Sequence, residues 1–356
     1  MRKTAFGRTG LEISEIAFGG GVTGGILINA SEATRWGALQ RAVAGGINWI
    51  DTAPAYGNGA SEATIGRHLA VLEPRPHIAT KVRLEHADLD DIAGAIERSL
   101  EQSLERLQCD RVALLQLHNQ IGSAAGGRLP LSSEQVLGPV ADTFDRLKEQ
   151  GLIEACGVTA VGDTEACLGV IESGRFDAAQ IYYNAINPSA AWSRTPPQWS
   201  GQDFSGLIAA CWRHHMGMLA IRVLAGGPLA SPRRPEGLAV LTSDTDVDNE
   251  MRVATAVRVA LGPGYGTPAQ TALRFTLGNR DLASRVVGFT ELHQIDEALT
   301  AVERGPLPPE AMVKLDQLWA NDFNVPTRAG QYAAAPCPGT PSRACPTWSL
   351  DMAEVG

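Results

Sequence analysis

Gly46-Ile47-Asn48-Trp49-Ile50-Asp51-Thr52-Ala53-Pro54-Ala55-Tyr56-Gly57 is the stretch that decides the fold. Its first half is a short apolar run that stops on a carboxylate, as a buried strand does when it reaches the edge of a sheet. Its second half carries a proline and closes on a glycine, so the chain turns tightly there. The turn brings Tyr56 back over the strand end. A short buried strand with a polar loop at its carboxyl end is the unit from which parallel α/β folds are built.

Working outward, the unit recurs about eight times. Short, mostly apolar runs at 13–19, 47–51, 77–82, 111–117, 153–159, 177–182, 218–224 and 285–288 read as strands. Longer segments of helical period separate them. Ser31-Glu32-Ala33-Thr34 and Ser61-Glu62-Ala63-Thr64 each offer a hydroxyl as N-cap with a carboxylate in the first turn. Leu89, Ile92, Ala93, Ile96, Leu100, Leu104 and Leu107 draw one apolar stripe along a long helix. Eight strand–helix units favour a closed (β/α)8 TIM barrel over a doubly wound sheet. That also accommodates 356 residues, since such barrels run to about 250 residues and more as one unit.

Three segments fall outside the alternation. Residues 2–12 read as an N-terminal β-hairpin around Gly7-Arg8-Thr9-Gly10. Residues 119–135 and 186–206 are long loops after strands four and six, the usual form of binding loops. The stretch from Val325 is rich in Pro, Ala and Thr without periodicity. The expected division is therefore a barrel over 1–325 and an extended C-terminal tail over 326–356.

Composition narrows the function. The chain is 44% hydrophobic and 19% charged, ordinary for an enzyme with a large core, and its formal charge of −9 repels nucleic acid and anionic lipid. No run approaches a membrane span, and the N-terminus lacks the apolar region of a signal peptide. Cys109, Cys156, Cys167, Cys211, Cys337 and Cys345 show no Cys-x-x-Cys spacing, so free thiols and a cytoplasmic location are expected. The histidines, His214-His215 included, have no metal-ligand spacing. Gly19-Gly20-Gly21-Val22-Thr23-Gly24 fits G-x-G-x-x-G, but no helix opens directly after it; it reads as a first loop lining the barrel mouth. Oligomeric state is not readable.

The chemistry gathers at strand ends. Asp51 ends the second strand, Tyr56 follows it, Lys81 lies near the end of the third and His118 follows the fourth. Singly, each has a bland reading as a cap, a packed ring, a solvated cation or a satisfied core imidazole. All four at the carboxyl ends of consecutive strands mark the face where barrel active sites are built. A Lys81 ammonium beside Tyr56 favours phenolate, Asp51 holds Lys81, and a neutral His118 can polarise a carbonyl. Reducing a carbonyl needs a hydride on carbon and a proton on oxygen, and Tyr56 suits the second role.

These positions resemble the aldo-keto reductase family, whose Asp, Tyr, Lys and His tetrad matches Asp51, Tyr56, Lys81 and His118. Gly57-Asn58-Gly59-Ala60-Ser61-Glu62 matches the family's Y-G-x-G-x-S-E run. Ser99-Leu100 through Leu104-Glu105-Arg106-Leu107 and Asp110 matches its S-L-x-R-L-x-x-D helix end. The resemblance implies an NADP(H)-dependent oxidoreductase, with NAD(H) as the alternative, interconverting aldehydes or ketones, sugars among them, with alcohols. It implies that Thr159 and Gln180 hold the nicotinamide carboxamide. Arg222, Leu224 and Gly226 would then border the ring, with Gly226 standing where many members carry a stacking aromatic. Gly288, Thr290, Gln294 and Glu297 would grip the adenosine phosphate, ribose or adenine, with Phe289 where NADPH-preferring members carry a cation. The alternatives are a slow nucleotide-binding regulatory protein on the same barrel, or an aldose dehydrogenase working in the oxidative direction. Trp192, Trp199 and Trp212 are candidates for an apolar substrate pocket, with core or loop packing a reading of at least equal weight for each.

Overall fold

The computed structural model describes residues 1–124, 128–233 and 246–324. Eight parallel strands close into a barrel in chain order: β1 (Ile16–Gly19), β2 (Trp49–Asp51), β3 (His77–Val82), β4 (Val112–Leu117), β5 (Ile153–Ala160), β6 (Ala178–Tyr182), β7 (Gly217–Ile221) and β8 (Ser284–Gly288). Helices cover the outside, among them α1 (Glu32–Ala44), α2 (Ala60–Leu69) and α3 (Ile92–Leu107). The main apolar layer lies between strands and helices, where Leu39, Ile65, Ile96 and Leu100 meet Ile50, Ile78 and Leu115. The expected (β/α)8 barrel is the fold.

A second apolar cluster fills the barrel's lower interior. Phe6, Ile13, Ala17, Trp49, Ala79, Leu114, Ala155, Ala178 and Leu219 belong to it, large rings and aliphatics filling the space beside alanines where eight strands converge on one axis. The expected N-terminal hairpin, Lys3–Ala5 paired antiparallel with Glu12–Ser14, closes this end. Its Phe6 ring packs on Trp49 with centroids 5.0 Å apart. Arg8 fastens the hairpin tip through the carbonyls of Gly174 and Phe176 at 2.7 and 2.9 Å and the Asp177 carboxylate at 3.2 Å.

Several boundaries differ from the sequence reading, each for a local reason. The first expected strand, 13–19, is two: Ser14 pairs in the hairpin, and its hydroxyl donates to the Ile16 carbonyl at 2.6 Å, breaking the run at Glu15. The seventh stops at Ile221, not 224, because Arg222 turns the chain with φ 58°. Ser31 caps α1 as expected, accepting from the Thr34 amide. Ser61 does not cap α2. Left-handed Gly59 (φ 86°) starts the helix one residue before it, and the buried Ser61 hydroxyl accepts from Thr52 at 2.8 Å. The loop read at 119–135 contains a small parallel pair, Gln120–Ile121 with Pro130–Leu131. The expected tail, 326–356, with Cys337 and Cys345, lies outside the described residues.

Candidate active site

Alternation along the strands places the site. In β2, β3, β4 and β6 the residues two positions above Trp49, Ala79, Leu114 and Ala178 are Asp51, Lys81, Gln116 and Gln180, and in β5 Thr159 stands four above Ala155. Side chains two apart share a face, so the interior changes from apolar to polar within one step of the pleat. Asp51 sits at the centre. Lys81 Nζ donates to its Oδ1 at 2.5 Å and to the Thr52 carbonyl at 2.8 Å. Gln180 and Gln116 donate side-chain amide hydrogens to its Oδ2 at 2.8 and 3.3 Å.

The loop after β2 delivers Tyr56. The Tyr56 amide donates to the Ala53 carbonyl at 3.0 Å, and Gly57 (φ 62°) then reverses the chain in a conformation glycine adopts without strain. The phenol ring lies with Lys81 Nζ 4.8 Å from its centroid, and the His118 imidazole meets it edge-on at 5.7 Å. Beneath the pair, Glu62 is fully buried, accepting from Thr80 Oγ1 at 2.5 Å and from Arg106 Nε at 2.7 Å. The two sequence motifs around Glu62 and Arg106 thus meet each other. They bind α2 to α3 and fix the strand residue next to Lys81.

These contacts set the charge states. Burial alone would pull the Lys81 ammonium down, but Asp51 and Tyr56 outweigh it and hold the group above its ordinary value. Burial pushes the Tyr56 phenol up. Lys81 pulls it down, as the sequence reading expected, yet burial wins and the net direction is upward. Burial, then the charges of Lys81, Arg83 and Arg128, drives His118 well below the ordinary histidine value. The site therefore presents a neutral phenol, a neutral imidazole and a buried ammonium–carboxylate pair.

Above this floor opens a cavity of about 560 Å³, within the range of small-molecule sites. Asp51, Tyr56 and His118 border it, while Lys81 lies buried behind Tyr56. All nine positions expected around the dinucleotide also border it: Thr159, Gln180, Arg222, Leu224, Gly226, Gly288, Thr290, Gln294 and Glu297. The glycine-rich first loop lines the mouth as expected. Its Gly24 packs so close to β8 that a Cβ there would stand 2.4 Å from the Phe289 amide nitrogen. The Thr159 hydroxyl is buried with no hydrogen-bond partner among the described residues. An orphaned buried hydroxyl is costly unless a ligand satisfies it, and the carboxamide of a nicotinamide fits that need.

At the far end, Thr290 donates to Gln294 Oε1 through its amide at 2.8 Å and its hydroxyl at 3.1 Å, and Glu297 accepts from the Thr267 hydroxyl. Phe289 is buried against Phe18 with centroids 5.2 Å apart. Arg285 is buried too, donating to the carbonyls of Thr276 and Leu282 at 2.7 and 2.9 Å, with burial bringing it down to about 10.

Of the two readings open for the tryptophans, packing is the one seen at Trp192 and Trp199. Trp192 packs edge-on against Trp199 and Trp319 with centroids 5.1 and 5.8 Å apart, Trp212 is 49% exposed, and none borders this cavity. Gln116, Arg83 and Arg128 are site residues that sequence reasoning missed. The first two stand two residues from His118 and Lys81, so extending the alternation would have found them. Arg128 gives no local signal within its Ser-, Gly- and Ala-rich loop.

Among the described residues no group of His, Cys, Asp and Glu could hold a metal ion, and no helix is long and apolar enough to cross a membrane. The model of the Aldo/keto reductase family matches residues 15–320. L-galactose dehydrogenase of Arabidopsis thaliana is 26% identical over 306 residues, covering 84% of this chain and 87% of that protein. D-threo-aldose 1-dehydrogenase of a Pseudomonas species is 24% identical over 231 residues, covering 56% and 66%. The holo form of an aldo-keto reductase from Bacillus halodurans superposes with a TM-score of 0.68 at 22% identity, covering 90% of this chain and 96% of that one. An aldo-keto reductase from Klebsiella pneumoniae, in complex with NADPH, does so at 0.64 and 20%, covering 92% and 97%.

Proposed function

The chain belongs to the aldo/keto reductase family, and on that premise we propose that it interconverts aldehydes or ketones with alcohols, Tyr56 carrying the proton. It is an oxidoreductase that binds a nicotinamide cofactor and acts on small carbonyl compounds. The observation that supports the finer reading is the buried Lys81 ammonium. It is paired with Asp51 at 2.5 Å and stands 4.8 Å from the Tyr56 ring, on the floor of the cavity.

The nicotinamide, when bound, supplies or accepts the hydride. The rest falls to this chain. Tyr56, protonated at neutral pH, donates its phenolic proton to the carbonyl oxygen as negative charge develops there. Lys81 stabilises the phenolate left behind, and Asp51 keeps Lys81 protonated and fixed. His118, neutral, can donate one N–H to the same oxygen and orient the carbonyl. In the alcohol-to-carbonyl direction, named in both dehydrogenase relatives, the phenolate is the base.

For the dinucleotide, the described walls favour NAD(H) over the more usual NADP(H). Where a 2′-phosphate would be held, Phe289 and Arg285 are buried and the charged side chain on the cavity wall is the half-buried Glu297. The four described cysteines are free thiols, which supports a cytoplasmic setting.

One experiment tests this reading. With a panel of aldehydes, ketones and aldoses, Tyr56→Phe should lower kcat by about 10³-fold, within the range of general acid catalysis. Its binding of NADH and NADPH should remain. Near-wild-type reduction by the variant removes Tyr56 from the proton step. In the same titrations, a dissociation constant about tenfold lower for one nucleotide (~1.4 kcal/mol) fixes the cofactor.

A further inference from the structure

The chain carries nine more negative than positive charges, yet the catalytic end of its cavity is walled by cations. Arg83 follows β3, Arg128 stands in the loop after β4, and Arg222 follows β7; all three border the same cavity as Tyr56 and His118. The carboxylates on that wall are Asp51, engaged by Lys81, and Glu297, engaged by Thr267 at the far end. Arg83 pairs with Glu85 at 3.0 Å, but both side chains are solvent-exposed, so the pair is weak. Arg128 makes no ion pair with any described carboxylate.

Gathering like charges in a half-buried place is unfavourable. Burial lowers the Arg128 pKa, and repulsion from Arg83 and Arg222 lowers it further. A protein keeps such a cluster where a ligand of opposite charge offsets the cost. Position says which ligand. The groups expected around the nicotinamide and its phosphates come from β5 to β8, whereas Arg83 and Arg128 come from β3 and β4. Arg128 borders the same cavity as Tyr56 and His118, and its charge reaches both, so it stands on the wall that a carbonyl held by those two would face.

We propose that the substrate carries an oxyanion, carboxylate or phosphate, close to its carbonyl, and that Arg128 receives it with help from Arg83. This rests on the reading of Tyr56 and His118 as the carbonyl site. A guanidinium fork matches either oxyanion with two parallel hydrogen bonds, which an ammonium cannot. Neutral sugars, named in the two dehydrogenase relatives, would offer Arg128 no opposite charge.

The test uses the dinucleotide-loaded enzyme and matched pairs: succinic semialdehyde against butanal for carboxylate, glyceraldehyde 3-phosphate against glyceraldehyde for phosphate. The expected result is a kcat/KM ratio of about 30 or more for the anionic member of one pair, as a charge-assisted bidentate contact supplies. In Arg128→Ala that ratio collapses, chiefly through KM, and Arg128→Lys restores part of it. Which pair shows the preference tells carboxylate from phosphate. Equal turnover of both members, with a ratio unmoved in Arg128→Ala, overturns the inference and leaves carbonyl reduction standing. No turnover of any member defeats the catalytic reading instead. Titration of the same complex with succinate and with inorganic phosphate then decides. Saturable binding lost in Arg128→Ala supports the anion site, and no saturable binding overturns it.

Discussion

The two ends of the same strands are built from opposite materials. At the hairpin end, Phe6, Trp49, Ala79, Leu114 and Ala155 pack as an apolar cluster; one or two steps of the pleat above, Asp51, Thr159 and Gln180 border the cavity, with Lys81 and Gln116 buried against Asp51. The lower end is held by burial, which is non-directional and tolerates exchange of one apolar group for another. The upper end is held by a charged pair whose desolvation is compensated only while each partner keeps its bonds. Removing one residue from each end should therefore fail in different ways.

The largest effect falls at the upper end. Asp51→Asn keeps the shape but leaves the Lys81 ammonium buried beside amide hydrogens. It should cost about 3–5 kcal/mol of stability, the usual penalty for orphaning one ion of a buried pair. Activity should fall beyond that, because Lys81 is no longer held beneath Tyr56. Denaturant unfolding and kcat on the folded fraction separate the two losses. A variant as stable and active as the parent would show that the pair organises nothing.

Trp49→Ala, two residues below on the same face, should cost a similar 3–5 kcal/mol through the cavity it leaves against Phe6. Here kcat of the folded protein should change little. Loss of catalysis in proportion to Asp51→Asn would mean that the two ends are one mechanical unit, and the comparison above would break.

Legibility in the sequence follows the same division. Asp51, Tyr56, Lys81 and His118 could be read because each lies on a strand or in the turn directly after one, where local rules fix direction. The barrel could be read from the recurrence of that unit. Ser61 misled because a serine before an apolar run signals a cap, while the turn at Gly59 had already started the helix. Trp192 and Trp199 could be read either way, because large rings in a long loop suit a pocket as well as they suit each other. Arg128 was invisible: its place on the same cavity wall as His118 depends on loop conformation, and no periodicity records that.

The smallest effect is in pH dependence, and it sharpens what the upper end does. On the proposed mechanism, reduction requires Tyr56 protonated and His118 neutral. Burial raises the Tyr56 pKa, so the donor form persists past the ordinary tyrosine value and is lost only above it. Burial and the neighbouring cations lower the His118 pKa, so the neutral form persists below the ordinary histidine value and is lost only under it. The rate of reduction, as kcat/KM, should therefore stay level between about pH 6.5 and 10, the two unperturbed values. Oxidation uses the phenolate and should climb through that whole interval, by about tenfold per pH unit while the phenol remains mostly protonated. Paired profiles in both directions check this. A step in reduction near pH 6.5 would mean that His118 titrates as a solvated imidazole. A plateau in oxidation by pH 8 would mean that Lys81 outweighs burial in the loaded site, moving the phenol below its ordinary value.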